Sequence, residues 1–147
     1  MTTIKKQASD GIITKEMESV AEKEHLDPET VRRGIANGRI VIPKSARRDT
    51  TPIGIGEGLL VKVNANIGSS KRVFDVEAEL EKARIAVKYG ADTIMDLSTG
   101  ITEQDVQEIR KRILEEIKVP LGTVPIYQSA LRALEKKGAI LHMDEDD

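Results

Sequence analysis

Apolar positions along the chain change period several times, and each change marks an element. After Thr14, Met17, Val20 and Ala21 recur at helical spacing and predict a helix to about His25, capped by Thr14. Asp27-Pro28 opens a second helix, because Asp is a good cap and Pro suits the first helical position, where its missing N–H has no partner to lose. Val31 and Ile35 form its apolar side and Asn37-Gly38 ends it. Residues 39–43 read as a short strand stopped by Pro43. Residues 1–13 lack such a pattern and are expected to be a loose lead. Residues 44–58, with glycines at 54, 56 and 58, read as a linker. The expected division is therefore an N-terminal lead of residues 1–58 and a second region of residues 59–147.

Beyond the linker the pattern alternates. Residues 59–66 predict a strand, and a helix from Asp75 follows with Val76, Leu80, Ala83 and Val87 on one face and Gly90 at its end. Residues 91–97 predict a second strand. Thr102, with Asp105 three residues on, caps a helix whose apolar face is Val106, Ile109, Ile113 and Ile117. Residues 119–127 predict a third strand and residues 129–137 a last helix. Strands alternating with helices at this spacing imply α/β architecture, with parallel strands and right-handed crossovers.

Composition narrows the chemistry. The 147 residues carry 23 Lys and Arg against 25 Asp and Glu, a net charge of -2 that exerts no pull toward nucleic acid or anionic membrane. One Phe, two Tyr and no Trp leave an aliphatic core and few surfaces for base stacking. No cysteine is present, which removes disulfides, thiolate zinc and cysteine-ligated iron–sulfur clusters from what this chain can build. With no leader and no run of 18 apolar residues, the expected location is cytoplasmic.

In βα architectures ligands gather at the carboxyl ends of the strands. Three polar patches fall there: residues 64–68 with Asn64 and Asn66, residues 95–100 with Met95, Asp96 and Ser98, and residues 125–128 with Tyr127. Asn64 and Asn66 are two apart and share a face, and each amide offers a donor and an acceptor. Each patch alone also reads as turn or helix-cap chemistry; their agreement on one rim favours a site. A helix–turn–helix reading of residues 14–43, with Arg32 and Arg33, competes weakly, since five glutamates surround those arginines. His142 with Asp144 and Glu145 is a weak metal candidate. The Gly-x-Gly at 54–56 precedes a strand instead of following one, which is the wrong context for a phosphate loop.

Four blocks, residues 33–43, 63–70, 90–100 and 122–128, resemble the front part of phosphomethylpyrimidine synthases, in order and spacing, over about residues 12–130. The resemblance implies a small N-terminal domain followed by the first units of a (β/α) barrel, incomplete here, because a whole barrel needs roughly 250 residues. It implies an enzyme of thiamine biosynthesis, a lyase converting aminoimidazole ribotide to hydroxymethylpyrimidine phosphate with a [4Fe–4S] cluster, S-adenosylmethionine and a divalent metal. By resemblance Asn66, Met95 and Tyr127 contact the ribotide, with Asn64, Asp96 and Ser98 in support. No catalytic residue, metal ligand or cofactor is assigned to this chain alone, which is expected to be inactive by itself. An unclosed sheet edge predicts a homo-oligomer or a partner completing the barrel. The alternative is a non-catalytic ribotide-binding or oligomerisation module. After Gly100 the family pattern Gly-Asp is replaced by Ile101-Thr102, with Asp105 as a possible substitute acid.

Overall fold

The structure is a computed structural model. It describes residues 2–45, 47–99 and 102–146; Met1, Ala46, Gly100, Ile101 and Asp147, which belong to the expected lead, linker, strand-end patch and tail, lie outside the described residues. The chain forms two compact units, Met1–Lys62 and Val63–Asp147.

In the first unit, α1 (Ile4–Ser9), α2 (Lys15–Glu24) and α3 (Pro28–Ala36) precede β1 (Ile40–Val41), which pairs antiparallel with β2 (Ile55–Gly56). The two expected caps are in place. Thr14 Oγ1 accepts from Met17 N at 3.4 Å, and Asp27 Oδ1 from Glu29 N at 2.7 Å. Met17, Val20, Ala21, Val31 and Ile35 bury together, as their spacing predicted. His25 takes the left-handed C-cap position itself, at φ 56°.

Two expectations for this unit fail. Residues 4–9 are a helix, not a loose lead: Thr3 caps it, Ala8 is fully buried, and the Arg32 guanidinium donates to the Ala8 carbonyl. Residues 59–62 are not strand. Leu59 packs on this unit's core, and Leu60 N donates to Glu24 Oε2 at 2.7 Å. Lys62 Nζ lies 2.8 Å from Glu24 Oε1, and the two side chains are almost fully enclosed. Burial works against the Glu24 charge, but Lys62 and the Leu60 amide outweigh it and lower its pKa. Polar contacts of Glu24 with Leu60 N and Lys62, not a strand ladder, thus hold the end of this unit.

The second unit is a parallel sheet of order β3-β4-β5, made of β3 (Asn64–Ile67), β4 (Thr93–Asp96) and β5 (Leu121–Thr123). α4 (Val76–Lys88) and α5 (Glu103–Glu116) follow the first two strands, α6 (Pro125–Lys137) follows the third, and a 3₁₀ turn spans Ile140–His142. Asp75 caps α4, and Thr102 with Asp105 forms the reciprocal capping box of α5. Asp105 Oδ2 accepts from Thr102 N at 2.9 Å, so this carboxylate is occupied in helix capping. Ile67 and Ile94 of the sheet pack with Leu80 and Ala83 of α4 and Ile109 and Ile113 of α5. The third strand is shorter than expected. Pro125 begins α6 instead of continuing β5, because its fixed φ and absent N–H fit the first helical position. The architecture is mixed α/β, with no closed barrel among the described residues.

Candidate functional site

Strand alternation splits the second sheet into two chemically distinct faces. Ala65, Ile67, Ile94 and Leu121 belong to the apolar core with α4 and α5. The opposite face carries Asn64 and Asn66 of β3, Thr93 and Met95 of β4, and Gly122 of β5. Register places Asn64 beside Thr93, Asn66 beside Met95, and Met95 beside Gly122. Asn64 and Asn66 are exposed.

These side chains are ordered by one another. Thr93 Oγ1 donates to Asn64 Oδ1 at 2.8 Å, and Asn64 Nδ2 donates to Asn66 Oδ1 at 3.0 Å. The relay engages Asn66 Oδ1 once and leaves its Nδ2 able to donate. A Cβ on Gly122 would stand 2.9 Å from Met95 Cε and 3.0 Å from its sulfur, so the Met95 thioether lies across the glycine. Thr93 and Gly122 escaped sequence reasoning. A glycine inside a strand does signal close approach, but Thr93 is visible only through register.

Tyr127 stands on the first turn of α6, 38% exposed, just past β5 at the carboxyl end of the sheet. The structure thus sets Asn66 and Met95 side by side and Tyr127 at the same end, on a helix instead of a strand. Asp96 and Ser98 are fully buried. Ser98 Oγ accepts from Ser69 N at 3.1 Å, and Ser98 N donates to Asp96 Oδ1 at 2.9 Å. The loop after β3 is gripped from α4: the buried Glu79 accepts from Gly68 N at 2.8 Å and from Ser69 Oγ at 3.1 Å. Gly68 allows the two loops to touch. It has φ +148°, and a Cβ there would lie 2.7 Å from Ser98 N.

A polar chain runs behind this rim. Asp96 Oδ2 meets Arg110 Nε at 2.7 Å, Arg110 Nη1 donates to Gln128 Oε1 at 2.8 Å, and Gln128 Nε2 donates to Glu103 Oε1 at 2.8 Å. Glu103 also pairs with Arg132. Hydrogen bonds from Arg132 and then Gln128 hold the Glu103 carboxyl down, from 4.5 to about 2. A depressed carboxylate contributes stability that is complete above its unfolded pKa and fades as pH falls toward the folded value. Thermal melts of wild type and Glu103→Gln should therefore differ most near neutral pH, with the wild type more stable, and converge as pH drops from about 5 to about 2. A gap that stays constant over that range would remove this role.

The residues of the competing readings form local pairs. Arg32 Nε and Nη2 each donate to Glu29 at 2.6 Å. His142 Nδ1 lies 3.1 Å from the Lys137 carbonyl, and Asp144 pairs with Lys137. Among the described residues no cluster of three His, Cys, Asp or Glu could hold a metal, and no helix is long and apolar enough to cross a membrane.

Phosphomethylpyrimidine synthase 2 of Methanothermobacter thermautotrophicus is 55% identical over 141 residues, 96% of this chain and 32% of the relative. The phosphomethylpyrimidine synthase of Methanocaldococcus jannaschii is 54% identical over 139 residues, 95% of this chain and 32% of the relative. That of Thermus thermophilus is 59% identical over 132 residues, 88% of this chain and 30% of the relative. The chain spans about a third of the length of the curated relatives it matches. The model of the Radical SAM ThiC family matches residues 3–147, so both units, including the Asn66–Met95 face, fall inside the match and the chain belongs to that family.

Proposed function

We propose that this chain carries the ribotide-facing front of a cytoplasmic phosphomethylpyrimidine synthase, with β3, β4 and β5 as opening strands of a (β/α) barrel. The observation that carries this reading is the register pairing of Asn66 with Met95 on the exposed sheet face, at the carboxyl ends of parallel strands. Helices on one face and a polar opposite face suit a barrel wall with an inward-looking site. The substrate would be aminoimidazole ribotide. Asn66 would donate from Nδ2 to an acceptor of the ligand, Met95 would supply a polarizable apolar floor, and Tyr127 a phenolic donor or acceptor.

The family's iron–sulfur cluster and S-adenosylmethionine supply radical chemistry when bound. This chain does not fit the cluster, which is held by cysteine thiolates, because its sequence contains none. Binding and orienting the ribotide is therefore the part assigned to it.

Titration calorimetry of the chain with aminoimidazole ribotide is the direct test. Wild type should release or absorb heat at one site, and Asn66→Ala should bind about tenfold more weakly, as expected for one lost hydrogen bond to ligand. A silent wild type, or equal binding by Asn66→Ala, would overturn the reading. A non-catalytic association module is the second reading, favoured by the edge strands β3 and β5, each with one neighbour among the described residues. Sedimentation equilibrium giving a dimer without ribotide affinity would favour it.

A further inference from the structure

We infer that Arg110 is a positioning residue whose buried guanidinium sets the separation between Met95 and Tyr127. Asp96 follows Met95 in β4, and Gln128 follows Tyr127 in α6. Arg110 bridges these two followers, at 2.7 Å to Asp96 Oδ2 and 2.8 Å to Gln128 Oε1. That role presupposes Met95 and Tyr127 as ligand contacts, as proposed above.

The bridge is stiff for chemical reasons. Asp96 is fully buried and the Arg110 side chain is 13% exposed, so solvent screens their attraction little. Asp96 cannot swing, because its other oxygen accepts from Ser98 N at 2.9 Å. The guanidinium is planar, so its Nε and Nη1 donors keep a fixed mutual angle. Gln128 is held in a single amide orientation: its oxygen faces the Arg110 cation and its nitrogen faces the Glu103 carboxylate at 2.8 Å. Arg110 Nη2 is buried without a hydrogen-bond partner, so the other two donors alone dictate where the group sits. The first turn of α6 has no side-chain cap of its own. The Gln128 clasp is a polar contact that orients the turn bearing Tyr127, while Arg132 and Glu135 tie later turns of α6 to Glu103.

Lysine at 110 would keep a cation for Asp96 but lose the planar fork. Leucine at 128 would remove the clasp while keeping a good helix former. The two tyrosines, Tyr89 and Tyr127, make the test specific. The whole chain is labelled with 3-fluorotyrosine, the two fluorine resonances are assigned with Tyr89→Phe, and folding is checked by circular dichroism. In Arg110→Lys and in Gln128→Leu the Tyr127 resonance should move toward the shift of an unfolded peptide while Tyr89 stays put. Gln128→Glu combined with Glu103→Gln keeps an acceptor for Arg110 and a donor–acceptor pair between positions 103 and 128, so its Tyr127 resonance should stay near wild type. Calorimetry with aminoimidazole ribotide should show about tenfold weaker binding by Gln128→Leu. An unmoved Tyr127 resonance in a folded Gln128→Leu overturns the tether whatever the ribotide does. A wild type silent toward ribotide, with a Tyr127 resonance that still moves, sinks the ligand reading and leaves the tether standing.

Discussion

Arg110→Met should lower the stability of the Val63–Asp147 unit by about 3–5 kcal/mol, the usual cost of stripping one partner from a buried ion pair. Asp96 would remain fully enclosed, with Ser98 N as its other recorded hydrogen-bond donor. A buried carboxylate stripped of its paired cation carries a large desolvation cost. Urea titration followed by circular dichroism measures the loss. Asp96→Asn should be damaging as well, because it leaves the guanidinium facing a neutral amide. The double variant Asp96→Asn/Arg110→Met should lose less than the sum of the two single losses, since neither retains an opposite charge to strand. Additive losses would mean that the pair contributes nothing as a pair. The surface pairs make a useful contrast. Arg112–Glu77 is close, at 2.6 Å, but both side chains are open to water, and breaking it should cost under about 1 kcal/mol.

Gly68→Ala should be the second large effect, at about 2–4 kcal/mol. Two costs coincide at this position. Its φ of +148° is a conformation that side-chain-bearing residues rarely adopt. The new methyl would also press against backbone, at 2.7 Å from Ser98 N and 2.8 Å from Leu97 C, and backbone cannot rotate away as a side-chain tip can. The two strand-end loops would have to part, breaking the Ser69 N to Ser98 Oγ and Thr99 N to Ser69 O hydrogen bonds. Gly138→Ala is the control: its φ is +78°, but nothing lies within 4 Å of the added carbon. It should cost only the roughly 1 kcal/mol of a left-handed backbone. Ribotide affinity should fall in the Gly68 variant and hold in the Gly138 variant, because only the first displaces the rim beside Asn66.

Elements governed by nearby residues were readable before any fold was known. Thr14, Asp27 and Thr102 cap their helices as their sequence positions suggested, since a cap bonds only two or three residues away. The stripe Val106–Ile109–Ile113 buries as drawn. Errors fell where a distant partner decides. Leu59-Leu60-Val61 looks like a strand, but Glu24 captures the Leu60 amide from 36 residues away. Residues 119–127 read as one strand, but Pro125 opens α6, because proline suits the first helical position. The six residues of α1 are too few to show a period, and its place is set by burial of Ala8 and by Arg32. At the rim, the shared face of Asn64 and Asn66 followed from strand alternation alone. The pairing of Asp96 with Arg110, and of Arg110 with Gln128, joins side chains 14 and 18 residues apart, and no local pattern announces it.

The brevity of β5 has a practical consequence. Pro120 stands immediately before Leu121–Thr123 and Pro125 shortly after, and neither can donate an amide proton to an incoming strand. Growth of a ladder along that border is limited to three residues, against four uninterrupted by proline along β3. When this chain is prepared by itself at high concentration, β3 is the border to guard, and a lysine engineered there should delay turbidity more than one on β5.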